Sequence, residues 1–171
     1  MESLSSESKS IALDILEDIL SAIERLEERT KDVNSIDDFL SSSSGMVLLD
    51  ATCMLLIAIG ESLKNLDKTT QGLLLPTYPS IPWKNVKGLR DIIAHHYFDV
   101  DASQILWIIK NEISPLKDAI RFFIKNLNDP EQVEKKVSGK PKGIKICPRD
   151  WIDNNYKNKE RRKWANYVFF Y

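Results

Sequence analysis

The residues with the greatest chemical capacity lie in one stretch, Arg90-Asp91-Ile92-Ile93-Ala94-His95-His96-Tyr97. Arginine holds a phosphate by two parallel hydrogen bonds and stays charged at any physiological pH. Histidine titrates near neutrality, so it can take or give a proton. Together they supply what RNA cleavage without a metal requires. One group helps the ribose 2′-OH attack the adjacent phosphorus, and another offsets the charge that builds on the phosphate oxygens. The Arg-x4-His spacing is short and arises often by chance, and a histidine near a helix C-terminus is commonly a partner of the helix dipole. His96 is read as a bystander.

Helical spacing constrains how these groups meet. Arg90 and Tyr97 are seven apart and share a face of a helix. Asp91 and His95 are four apart and can pair, which would hold the imidazole. Arg90 and His95 are five apart, about 140° around an ideal helix. Either the helix loosens before His95, or a second copy of the chain completes the site.

The elements that must position these residues are helices. Ile11, Ile15, Leu16, Ile19, Leu20, Ile23 and Leu26 recur at three- and four-residue steps, which predicts a helix from about Ser8 to Thr30. Ser35 with Asp38 fits a capping box and predicts a short helical turn over Ser35–Leu40. A second long helix is expected from about Gly45 to Leu66. It is apolar nearly all round through Met46–Ile59, as in a bundle interior or a subunit interface. Pro76, Pro79 and Pro82 mark a loop. Pro82 suits the first position of a third helix that ends near His96–Asp99 and carries the Arg90 stretch. Asp101 with Gln104 opens a fourth helix that runs to Leu127, with a kink expected at Pro115. Trp83 and Trp107 are read as core rather than as base-stacking surfaces. Glu61, near the end of the second helix, either supports the site or pairs with a nearby cation. No strand pattern appears in residues 1–129, so the fold expected there is an all-α antiparallel four-helix bundle.

Composition sets the outer bounds. The chain has 171 residues, 43% hydrophobic and 29% charged, which fits one globular domain with an extension. Cys53 and Cys147 are too few for a disulfide framework, and no Cys/His cluster has metal-ligand spacing. No metal or cofactor is expected. The N-terminus lacks the pattern of a signal peptide, and Met46–Gly60 is too short to span a bilayer, so a cytoplasmic protein is expected. The net charge of −1 conceals an asymmetry. Residues 1–129 carry 13 Lys+Arg against 20 Asp+Glu, whereas residues 130–171 carry 11 against 5. The second segment, 130–171, reads as a basic extension containing Trp151, Tyr156, Trp164, Tyr167, Phe169, Phe170 and Tyr171. Such a segment can grip RNA, dock on a protein surface, or remain a solvated terminus.

The ordered set Ile59-Gly60-Glu61, Pro82-Trp83, Leu89-Arg90, His95-x-Tyr97 and Leu106-Trp107-x-Ile109 resembles the HEPN superfamily, and within it the HepT-type toxins with their R-x4-H-x-Y motif. The resemblance runs from about Leu13 to Leu127. It implies a helical homodimer whose Arg and His gather in a cleft between protomers and cut RNA without metal. Arg90 and His95 would then be the catalytic pair and Tyr97 the motif tyrosine. The resemblance also implies a partner, a minimal nucleotidyltransferase antitoxin of the MntA type, which transfers AMP from ATP to that tyrosine. Asp91 departs from the Asn that many relatives carry after the motif Arg. A carboxylate there can pair with Arg90 or His95 and weaken phosphate binding.

The function expected is therefore a metal-independent endoribonuclease toxin. The alternative is a non-catalytic HEPN partner of a nucleotidyltransferase that binds substrate or nucleotide, and Asp91 favours it. A purely structural helical adaptor would leave Arg90, His95 and Tyr97 without a role.

Overall fold

The computed structural model describes residues 4–95 and 100–128. These form six α-helices and one 3-10 turn: α1 (Ser6–Thr30), α2 (Asp37–Leu40), α3 (Ser43–Thr69), the turn Leu75–Thr77, α4 (Trp83–His95), α5 (Ala102–Asn111) and α6 (Ile113–Asn128). Among the described residues there is no strand, and they fold as an all-α helical bundle. His96, Tyr97 and the 130–171 extension lie outside the described residues.

Local chemistry fixes the helix ends. Ser5 caps α1, its side chain accepting from the Ser8 N–H at 3.1 Å. Ser42 caps α3 by accepting from the Gly45 N–H at 3.0 Å. Asp101 caps α5, as expected, accepting from the Ser103 N–H at 2.9 Å. The box expected at Ser35 forms only in part. Asp38 Oδ2 accepts from the backbone N–H groups of Asn34 and Ser35, both at 2.8 Å, while Ile36 occupies the cap position of α2. Those hydrogen bonds hold the Asp38 carboxyl below its ordinary range.

The expected fourth helix is two helices. Pro115 has no N–H to offer the carbonyl of Asn111, and its ring crowds that carbonyl. The helix is interrupted for one residue at Glu112, which stays in the right-handed helical region and donates to the Ile108 carbonyl at 2.9 Å, and α6 starts at Ile113. Helix α6 packs along α1. Lys117 meets Glu27 at 2.6 Å and Arg121 meets Glu24 at 3.2 Å, which sets α1 and α6 antiparallel.

The core is continuous across α1, α3, α4, α5 and α6. Leu16, Ile19, Ile23, Leu26, Leu63, Leu66, Ile93, Ile120 and Phe123 are essentially removed from solvent. Each contributes roughly 1.5–3 kcal/mol through burial of its side chain. Trp83 joins this core as expected, with its ring centroid 5.6 Å from that of Phe123 and its Nε1–H donating to the Tyr78 carbonyl at 2.9 Å. Trp107, expected in the core, is half-buried on α5.

Helix α3 is the centre of the bundle, packing against α1, α2 and α4. It is longer than expected, and by length and composition alone it could cross a membrane. Its inner side, through Leu55, Leu56, Ile59, Leu63 and Leu66, belongs to the core. It is not buried all round, however: Met46, Val47 and Met54 are more than half exposed.

Gly45 shows how tightly α3 is seated on α2. A Cβ at this position would lie 2.3 Å from the Asp38 carbonyl oxygen and 2.7 Å from that of Phe39. Both are backbone atoms, so the overlap cannot be relieved by rotating a side chain. Gly45→Ala should therefore destabilise the fold by about 1–3 kcal/mol despite alanine's better helix propensity. Chemical denaturation of the two proteins would measure this, and equal midpoints would refute the close approach.

Candidate active site

Arg90 lies in the third turn of α4, on the side that faces α3. The approach is close at this level, since a Cβ on Gly60 would stand 2.7 Å from the Cβ of Arg90. Glycine at position 60 thus lets α4 lie against α3 where the arginine emerges. The two helices run antiparallel, with Gly60 beside Arg90 and Asp67 beside Lys87, the latter pair 2.5 Å apart.

All three guanidinium nitrogens face carboxylates. Arg90 Nε donates to Glu61 Oε2 at 2.7 Å, and its NH2 nitrogen lies 2.5 Å from the same oxygen. Its NH1 nitrogen donates to Asp91 Oδ1. The other oxygen of Asp91, Oδ2, accepts from Lys64 Nζ at 2.7 Å. Glu61 and Lys64, three residues apart on α3, thus face Arg90 and Asp91 on α4 across one seam. The four side chains are 30–45% exposed. Ion pairs this exposed are screened by solvent and add little to stability, so their main consequence is the orientation of the guanidinium.

Electrostatics follow from these contacts. Hydrogen bonds to Asp91 and then Glu61 raise Arg90 above the ordinary arginine value. Lys64 first, and Arg90 after it, hold the Asp91 carboxyl below the usual carboxylate range despite some desolvation. Both groups are charged at neutral pH. Cys53, by contrast, is buried in α3 and its thiol is pushed up to about 11, which removes it as a nucleophile.

The structure separates the residues that the sequence set side by side. Of the two partners foreseen for Asp91, it binds Arg90, with Lys64 added, rather than His95. Glu61 does lie at the site, as a direct partner of Arg90. His95 is the exposed last residue of α4. The helix remains regular through His95, so the possibility that it loosens before that residue is excluded. Within one chain, Arg90 and His95 therefore leave the helix about 140° apart. Tyr97 lies outside the described residues. Lys64 and the spacing role of Gly60 were not foreseen, although Lys64 stands three residues after Glu61, a spacing that puts both on one helix face. Among the described residues no group of three or more His, Cys, Asp or Glu gathers to hold a metal.

The sequence relationships fit this helical frame. Residues 19–123 match the family model described as ribonuclease HepT-like. The chain is 37% identical over 105 residues to a Thermococcus cleftensis protein named "Probable ribonuclease HepT", covering 61% of this chain and 87% of that one. It is 36% identical over 106 residues to a Caldanaerobacter subterraneus subsp. tengcongensis protein whose name proposes an RNase, covering 62% of this chain and 88% of that one. It is also 36% identical over 113 residues to a Methanocaldococcus jannaschii protein whose name joins gamma-glutamylcyclotransferase to a proposed RNase. That match covers 66% of this chain but only 47% of the longer protein, so the chain spans about half of it. No solved structure matches significantly. With a helical bundle over the matched span and the family model covering more than half its length, the chain belongs to the HepT-like ribonuclease family of the HEPN superfamily.

Proposed function

We propose that this chain is a metal-independent endoribonuclease toxin that acts as a homodimer and is silenced by AMP transfer to Tyr97. The observation that carries the reading is Arg90, set at the α3–α4 seam of a HepT-like bundle, with His95 five residues on along the same helix. In this reading Arg90 binds and neutralises a backbone phosphate of RNA. His95 moves the proton. The ribose 2′ oxygen attacks phosphorus, its proton is taken up, and the bond to the 5′ oxygen breaks as that oxygen gains a proton. The product end is a 2′,3′-cyclic phosphate. Because Arg90 and His95 diverge within one chain, His95 of a second copy meets Arg90 of the first across a two-fold axis.

The exposed face of α3 supports such an axis. Val47, Met54 and Glu61 are spaced by seven residues, so an apolar strip leads directly to the partner of Arg90. The basic segment 130–171 adds phosphate contacts in this reading. The partner is a minimal nucleotidyltransferase antitoxin, for which the Tyr97 phenol is a chemically competent acceptor. An added phosphate there brings negative charge into an RNA-binding cleft.

One observation favours the rival reading, a non-catalytic partner of a nucleotidyltransferase. Arg90 is already paired with two carboxylates, so an incoming phosphate must compete for it. Cleavage of RNA in EDTA separates the two readings, since a binding module cuts nothing.

If His95 moves protons, His95→Ala should lower the cleavage rate by about 10²–10⁴-fold with little change in RNA affinity. Arg90→Ala should lower both, since it removes a fixed phosphate contact. Single-turnover kinetics with a labelled oligonucleotide distinguish these outcomes, and undiminished cleavage by His95→Ala would end the catalytic assignment.

Light scattering at micromolar concentration should report a dimer. Met54→Asp, which sets a charge in the apolar strip, should shift it to monomer and abolish cleavage. A monomer with full activity would overturn the shared site.

Tyr97→Phe retains the ring and loses only the acceptor oxygen. With purified antitoxin and labelled ATP it should take up no label while keeping part of its nuclease activity. Label on this variant at the wild-type level would move the acceptor to another residue.

A further inference from the structure

Lys64 has no part in the chemistry described so far, yet a single carboxylate separates its ammonium from the arginine. It binds Asp91 Oδ2 at 2.7 Å while Asp91 Oδ1 binds Arg90. The remaining contacts of Arg90 go to Glu61. The set of four thus contains two cations and two carboxylates. Without Lys64 the set would carry a net charge of −1, which opposes the approach of a phosphate. Asp91 would also lose its second anchor and swing about its side-chain torsions, so that one of the two groups orienting the guanidinium would no longer be fixed. Lys64 emerges from α3 one helical turn after Glu61, so α3 presents one group to Arg90 directly and another through Asp91.

We propose that Lys64 is a positioning residue for Arg90, acting through Asp91: it fixes the carboxylate against the guanidinium and offsets the carboxylate's charge, so that Arg90 stays oriented and still accepts an RNA phosphate. This rests on the ribonuclease reading. It also gives Asp91 a constructive place in the site, because a carboxylate held by a lysine orients the arginine without leaving the cluster negative. The low position of the Asp91 carboxyl is in keeping with a group shared between two cations.

The test is a double-mutant cycle on the full chain, with Lys64→Gln and Lys64→Arg each made in the wild-type and Asp91→Asn backgrounds. The readouts are the single-turnover cleavage rate of a short RNA, the affinity for its uncleavable 2′-O-methyl analogue, and the exchange rate of the Arg90 Nε–H by NMR without RNA. In the wild-type background, Lys64→Gln should lower the cleavage rate roughly 5-fold, the scale of a partly exposed ion pair. It should also speed Nε–H exchange, and Lys64→Arg should restore both. In the Asp91→Asn background, Lys64→Gln should change rate and exchange by no more than about 2-fold. Equal losses in the two backgrounds would mean that Lys64 meets RNA directly, and would overturn the proposal. So would no loss in the wild-type background. If the wild-type protein cuts no RNA, the ribonuclease reading fails on that result, while Nε–H exchange still decides whether Lys64 positions Arg90 through Asp91.

Discussion

The close approach of α4 to α3 at Gly60 is the constraint on which the arrangement of the charged seam depends. With 2.7 Å between a Cβ on Gly60 and that of Arg90, any larger residue would push the helices apart at the level of the arginine. The contacts that orient the guanidinium extend from this point. Glu61 is the next residue on α3, and Lys64 is one turn further. The absence of one side chain therefore brings four charged ones into register. Glycine costs about 1 kcal/mol in a helix interior relative to alanine, and here that cost is offset by the packing it permits.

An arginine held in this way differs from one free in solvent. Its Nε and both terminal nitrogens already face carboxylates, so its orientation is set before any ligand arrives. Preorganisation of this kind lowers the reorganisation needed when charge develops on a phosphate. The opposing effect is competition, because a phosphate must share the guanidinium with Glu61 and Asp91. Which effect prevails depends on how much of the carboxylates' charge is taken up by other cations, and Lys64 is the cation within reach of Asp91.

The rest of the bundle holds this seam in place. The core fixes α3 against α1 and α4, and α6 closes against α1. Chemistry and packing are divided between the two sides of α3. Leu55, Ile59 and Leu63 belong to the core, while Val47 and Met54 stay open on the face that ends at Glu61.

Much of the fold is legible in local sequence, because helix periodicity and capping depend on neighbours a few residues away. The stripe from Leu16 to Leu26 and the cap at Asp101 act over one or two turns and are where the sequence placed them. Ile11, by contrast, stays exposed, and α4 starts at Trp83, one residue after Pro82. The R-x4-H-x-Y spacing and the flanking Ile59-Gly60-Glu61 likewise carried the family resemblance. Local rules were less decisive at Pro115, where the sequence implied a bend but not whether the helix would survive it. They also failed for Trp107, whose burial depends on what packs over α5. The partners of Asp91 were beyond local rules altogether: His95 is four residues away in the chain, but Lys64 is 27 residues away and faces it across the seam. Sequence spacing determined that Arg90 and His95 diverge on a regular helix. Only the tertiary structure decided that the helix stays regular, and that Arg90 turns to α3, because ion pairing across a helix interface depends on the depth and register of packing.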